Sequence, residues 1–176
     1  MVSIRNHKVH IITTGGTIEK TYDEYKGALE NKITQLEKRI LNRLRLPYTD
    51  VTIESILTKD SLYFTDEDRT LVSNTILKSL EREDLDAIIV IHGTDTMALS
   101  ADYVRKSIQL TERPIIFTGA MKPMGFEDSD AYQNVVESLM ACRLVGPGFY
   151  ISFHGRLYKV PFVRKDLKKG TFGPTE

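Results

Sequence analysis

Apolar and polar positions along the chain alternate between two periods, one near two residues and one near three and a half. Val9 to Thr13 is a short β-branched run ending at Thr14-Gly15-Gly16-Thr17, which reads as a strand entering a glycine turn. From Glu30 to Leu44, the residues Ile33, Leu36, Ile40, Leu41 and Leu44 recur at helical spacing with charges between them, and Pro47 stops the pattern. That spacing predicts an amphipathic helix. Val51 to Leu57 alternates as a strand does and runs into Thr58-Lys59-Asp60. Thr65 then precedes the acidic turn Asp66-Glu67-Asp68, and Leu71, Val72, Ile76, Leu77 and Leu80 follow, predicting a capped helix as far as Arg82.

Ala87 to Ile91 reads AIIVI, continuous rather than alternating, as expected of a strand covered by helices on both faces. It leads into His92-Gly93-Thr94-Asp95. A helix from Thr96 to Ile108, a strand from Pro114 to Thr118 ending at Gly119-Ala120, a helix from Asp130 to Arg143 and a strand from Phe149 to Phe153 complete the series. Five strands alternating with helices predict an α/β fold: a doubly wound, mainly parallel five-stranded sheet with helices on both faces, in a single domain over residues 1–176. Beyond His154 the pattern weakens into a basic, turn-rich tail, with Lys159, Arg164, Lys165, Lys168 and Lys169 against Asp166 and Glu176.

Length supports one domain, since a chain of 176 residues can bury about two-thirds of its unfolded surface in one core. A large two-domain enzyme is excluded. The 24 basic and 24 acidic side chains cancel, so no overall field draws the protein to nucleic acid or to an anionic bilayer, and neither is expected as a partner. Cys142 is the sole cysteine, which forbids an internal disulfide, and no Cys/His spacing suits a structural metal. A reducing, cytoplasmic location is therefore expected. No apolar run approaches the roughly 20 residues that cross a bilayer, and the first ten residues lack the apolar stretch of a signal peptide, so a soluble, non-exported protein is expected.

Ligands of open α/β sheets bind beyond the carboxyl ends of the strands, and the small polar clusters of this chain fall there. They are Gly15-Gly16-Thr17, Thr58-Lys59-Asp60, His92-Gly93-Thr94-Asp95 and Thr118-Gly119-Ala120. No GxSxG elbow, HExxH, phosphate-loop lysine or GxGxxG accompanies them. What remains is two hydroxyls, Thr17 and Thr94, a carboxylate at Asp95, and lysines of the tail that folding could bring near. A threonine hydroxyl needs an adjacent base to act as a nucleophile, and a desolvated lysine or a lysine-carboxylate relay can supply one, which points to acyl transfer on a small polar substrate. Each residue also has a structural role open to it. Thr94 and Asp95 could cap the following helix, Thr17 could be a turn residue, Asp60 and Lys165 could be solvated charges, and His92 could be a hydrogen-bonded structural histidine.

Three segments, taken together, are more specific: TTGGTIEKTY at Thr13 to Tyr22, IHGTDTM at Ile91 to Met97 and FTGAMKP at Phe117 to Pro123. The chain resembles the asparaginase/glutaminase family of bacterial type, over essentially its whole length but only over that family's N-terminal domain. The resemblance implies hydrolysis of L-asparagine to L-aspartate and ammonia, with no metal and no cofactor. It implies Thr17 as nucleophile, assisted by Tyr22 or alternatively Tyr25, and Thr94 and Asp95 working with Lys165, with Lys159 as the alternative lysine. Asp60 would bind the substrate α-ammonium and the Thr58 region its α-carboxylate, with Gly16, Lys59, Gly93 and Ala120 completing the substrate-binding set. Lys59 stands where longer members commonly carry an uncharged polar residue, and the short loop between Thr17 and Tyr22 implies a small lid. Glutamine or a larger amide is the alternative substrate, and a non-catalytic amino-acid-binding module the alternative role. Family members assemble as dimers or tetramers, so a homo-oligomer is expected, with the Glu30 to Leu44 and Asp130 to Arg143 helices as candidate surfaces.

Overall fold

The structure, a computed structural model, describes residues 5–175. The chain opens with β1 (His7–Gly15), a 3-10 turn at Thr17–Glu19, β2 (Lys20–Asp23) and β3 (Ala28–Asn31), then a single α turn, α1 (Leu36–Arg39), and a 3-10 turn at Leu41–Arg43. β4 (Thr49–Lys59), a 3-10 turn at Ser61–Tyr63, α2 (Asp66–Leu80), β5 (Ala87–Ile91), α3 (Met97–Ile108), β6 (Pro114–Thr118), α4 (Ala131–Leu144) and β7 (Gly148–Phe153) follow. Three short strands close the described chain: β8 (Arg156–Lys159), β9 (Val163–Asp166) and β10 (Thr171–Pro174).

The main sheet runs β4-β1-β5-β6-β7-β8. Its first five strands are parallel, and β8 is added antiparallel to β7. Consecutive side chains along a strand point to opposite faces, so the unbroken apolar runs feed two cores at once. Ile88 and Val90 of β5 pack with Val72, Ile76 and Val104 of α2 and α3, whereas Ile89 and Ile91 pack with Val135 and Leu139 of α4. Every residue of β5 is fully buried, which is why the segment shows no polar alternation. Thr65 caps α2 as its sequence suggests, accepting from Asp68 N–H while the Asp68 carboxylate accepts from Thr65 N–H.

Two expectations are corrected. The continuous helix predicted over Glu30 to Leu44 does not form: Glu30 and Asn31 belong to β3, which pairs with β2 in an antiparallel hairpin, and only the single turns at Leu36–Arg39 and Leu41–Arg43 are helical. The Asp23 carboxylate accepts from Tyr25 N–H and Lys26 N–H, and Gly27, at φ 61°, supplies the left-handed residue that closes the turn. Of the periodic apolar set, Leu36 and Ile40 are buried one α turn apart, but Ile33 is exposed, so the spacing reflects two anchoring residues and not a continuous helix. The tail is also more regular than its sequence suggests. His154 and Gly155, both with positive φ, form a two-residue hairpin turn that returns the chain as β8, a sixth strand, and β9 pairs with β10 in a second hairpin. These strands are short and their faces largely exposed, so they carry little apolar alternation.

Ile89 lies in a strand buried along its whole length and contributes to the core beneath α4. Ile89→Ala is expected to cost roughly 2–5 kcal/mol in urea unfolding, and a loss under about 1 kcal/mol would show that this strand is not the packing centre.

Candidate active site

The site is built where β1, β4 and β5 end. Gly15 and Gly16 have φ values of 96° and 81°, conformations open to glycine and strained for other residues. A methyl group on Gly16 would lie 2.3 Å from Gly93 Cα, so these two backbones touch in a way that side chains would prevent. Gly16 N–H donates to Lys59 O at 3.0 Å, tying the turn to the end of β4. Ser61 packs on the other side of Gly93, where a methyl group would be 2.4 Å from its Oγ. Thr17 therefore follows this contact on one chain segment and Thr94 on the other. Thr17 is half-buried, and the Thr94 side chain is almost wholly buried.

Lys165 reaches this point from β9. Its neighbour Val163 and its pairing partner Phe172 are buried and anchor the hairpin on the core. Lys165 Nζ donates to Thr94 Oγ1 at 2.8 Å and to Asp95 Oδ1 at 2.7 Å. Thr96 is the residue at the N-cap of α3, and its hydroxyl donates to Ser61 O. The capping role open to Thr94 and Asp95 from sequence is thus not the one they adopt. Nor is Lys165 a solvated tail charge, since its side chain is only one-fifth exposed.

Asp60 follows β4 beside this group. Its Oδ1 accepts from Leu62 N–H at 3.1 Å, and its Oδ2 accepts from Lys20 Nζ at 2.7 Å. Burial raises the Asp60 carboxyl, but the Lys20 and Leu62 hydrogen bonds and the charges of Lys20 and Lys165 outweigh it, holding it below the usual carboxylate range. Two carboxylates and two ammonium groups thus share one small region.

The other sequence candidates lie differently. Tyr22 sits exposed on β2 with its hydroxyl over the Gly27 turn, and Tyr25 is fully exposed on the same hairpin. Lys59 is engaged by Asp68 at 2.6 Å, Thr58 is exposed, Ala120 is buried, and Lys159 is exposed on β8. His92 is a structural histidine: Nδ1 bonds Gly93 O at 2.8 Å. A cleft of about 550 Å³ is lined by the neighbours Arg164 and Asp166 of β9, not by Lys165. Among the described residues no three His, Cys, Asp or Glu side chains come together as a metal cluster.

Sequence reasoning missed Glu19 and Lys20, although both stand in the segment that carries the glycine turn. It also missed a brace behind the loop that follows β6. Asp130 accepts from Met121 N–H and Lys122 N–H and pairs with His154 Nε2, while Asn134 donates to Gly119 O and accepts from His154 N–H. The four-residue spacing of Asp130 and Asn134 was its sequence signal.

Glu19 is almost wholly buried, with Oε2 accepting from Gly15 N–H at 2.9 Å. Burial pushes its carboxyl from an ordinary value of 4.5 up to about 7, against hydrogen bonds from Thr34, Gly15 and Thr13. Between those values the folded chain retains a proton that the unfolded chain has lost, so stability falls as pH rises through the window, by about 3 kcal/mol. Above it the effect is constant. His92 acts with the opposite sign, because burial holds it neutral down to about 4. Glu19→Gln removes only the first effect. The variant is expected to gain stability over the wild type between pH 4.5 and 7.5, measured by urea midpoints, and a constant difference would refute the assignment.

Comparison with known proteins identifies the family of the chain. Residues 8–170 match the family Asparaginase, N-terminal. An L-asparaginase of Thermococcus kodakarensis is 30% identical over 153 residues, covering 85% of this chain and 45% of the relative. A component of the glutamyl-tRNA(Gln) amidotransferase of Methanobrevibacter smithii is 26% identical over 149 residues, covering 85% and 34%. The solved structure of the thermostable L-asparaginase from Thermococcus kodakarensis superposes with a TM-score of 0.81 at 25% identity, covering 95% of this chain and 51% of that one. The chain spans about half the length of the curated L-asparaginases it matches. With the strand-end glycine turn and the HGTDT segment meeting in one site, the chain belongs to the asparaginase family, within that family's N-terminal domain.

Proposed function

We propose that the protein is an amidohydrolase that converts L-asparagine to L-aspartate and ammonia through a threonine nucleophile. The observation that carries this reading is the contact of Lys165 with both Thr94 and Asp95. A lysine that donates to a threonine oxygen polarises that hydroxyl and leaves its own proton directed elsewhere, as proton transfer at a neighbouring nucleophile requires. Thr17 Oγ attacks the side-chain amide carbon, and its proton passes by way of Thr94 to the departing nitrogen. The C–N bond breaks, ammonia leaves and an ester on Thr17 remains. Water placed by Thr94 then adds to the ester, the C–O bond breaks, and Thr17 regains its proton as aspartate departs. Backbone N–H groups near Thr94 stabilise the oxyanion in both steps. Asp60 supports the substrate α-ammonium and the Thr58 turn its carboxylate, with Gly16, Lys59, Gly93 and Ala120 shaping the pocket. Tyr22 takes part only if the β2-β3 hairpin moves, because its hydroxyl lies over Gly27.

Glutamine is a second candidate substrate, since one methylene alters binding by only about 1–3 kcal/mol. A relative from Pseudomonas aeruginosa is named a glutaminase-asparaginase. A cytoplasmic location suits the buried Cys142 thiol, which burial pushes up to about 12.

Ammonia release from asparagine by the purified protein is the direct test. Thr17→Ala and Lys165→Met are each expected to lower kcat by about 10²–10⁴. If either variant, folded as the wild type is, retains ordinary turnover, the mechanism is wrong. Aspartate binding without any ammonia release would favour a binding module. For assembly we propose a homo-oligomer through the face of α4 where Met140 and Leu144 are exposed beside Leu157. The segment 30–44 offers no comparable helix. Sedimentation of an active monomer would overturn this proposal.

A further inference from the structure

Asp60 carries a cation from within the chain. Lys20 Nζ lies 2.7 Å from Asp60 Oδ2, and the two side chains are only 24% and 20% exposed. Lys20 is the first residue after the 3-10 turn that carries Thr17, so this ammonium enters the site from the nucleophile's own turn. The carboxylate is further engaged by Leu62 N–H and lies within reach of the Lys165 charge. A substrate α-ammonium arriving at Asp60 meets a group of its own kind already in place.

We propose that Lys20 is an internal stand-in for the substrate α-ammonium, so that this site accepts carboxylate-bearing primary amides whether or not they have a free α-amine. The inference rests on the reading of Asp60 as the α-ammonium contact of an amidohydrolase. Its physical basis is the cost of leaving a partly buried charge unpaired. In a site whose carboxylate waits for the substrate, an analogue lacking the amine strands that carboxylate and is strongly rejected. Here Lys20 keeps Asp60 paired in either case. Removal of the amine therefore costs little, and the amine of asparagine must compete with Lys20 for the same oxygens.

Succinamate is asparagine without its amine and is the probe. For the wild type, kcat/KM for asparagine and for succinamate are expected within about ten-fold of each other. Lys20→Met keeps the length of the stem but removes the charge. In that variant asparagine should gain, its KM falling, while succinamate should lose, widening the ratio at least about ten-fold. Lys20→Arg should keep the wild-type ratio. A structural role for the ion pair alone would lower both substrates equally in Lys20→Met, and an unchanged ratio overturns the proposal.

Calorimetric binding of L-aspartate and succinate to the same three proteins separates the two assumptions. If no amide releases ammonia but Lys20→Met still shifts the aspartate-to-succinate affinity ratio in the same sense, the amidohydrolase reading fails and the role of Lys20 stands. If neither acid binds any of the three proteins, both fail.

Discussion

The contact of Gly16 with Gly93 is the constraint on which the site depends. Two strand ends of a parallel sheet are ordinarily held apart by the side chains that follow them. With hydrogen atoms in place of both side chains, the turn after β1 and the turn after β5 meet backbone to backbone, and Ser61 closes the far side. Thr17 and Thr94 each follow directly from that contact, one on either chain segment. Gly15 and Gly16 must also adopt positive φ for β1 to turn into the pocket. A larger residue at Gly16 opposes both requirements, which explains why glycine stands there in physical terms.

Around that contact the protein gathers charge in a region of limited water access. Lys165 bridges Thr94 and Asp95, and Lys20 meets Asp60, so each ammonium is matched by a carboxylate. Opposite charges placed in pairs reduce the cost of partial burial and hold each long side chain in one geometry. Behind them lie two buried groups, His92 bound to the Gly93 carbonyl and Glu19 bound to the Gly15 amide. These two fix the glycine turns from beneath, and the Asp130, Asn134 and His154 brace does the same for the loop after β6.

Much of this architecture was legible along the chain. β5 and β6 have the boundaries their apolar runs imply, because a fully buried strand excludes polar residues throughout its length. α2 begins at its predicted cap. The hairpin of β2 and β3 was not legible, since the apolar spacing of Leu36 and Ile40 mimics a longer helix and the closing turn depends on one aspartate and one glycine. The same is true of β8, whose pairing with β7 follows from the left-handed turn at His154 and Gly155 more than from any apolar pattern.

By itself, the sequence determined the order of the elements, the class of the fold, the strand ends at which polar groups collect, and the hydroxyl, carboxylate and lysine types present there. Periodicity and local turn chemistry act over a few residues, so they leave their trace in a few residues. Only the tertiary structure decided which lysine meets Thr94, that Asp60 is paired with Lys20, and that the proposed capping residues are free to face Lys165. Lys165 and Thr94 are 71 positions apart, and Lys20 and Asp60 are 40 apart. Contacts at such separations are set by how the sheet, the hairpins and the glycine turns pack, and no local pattern records them.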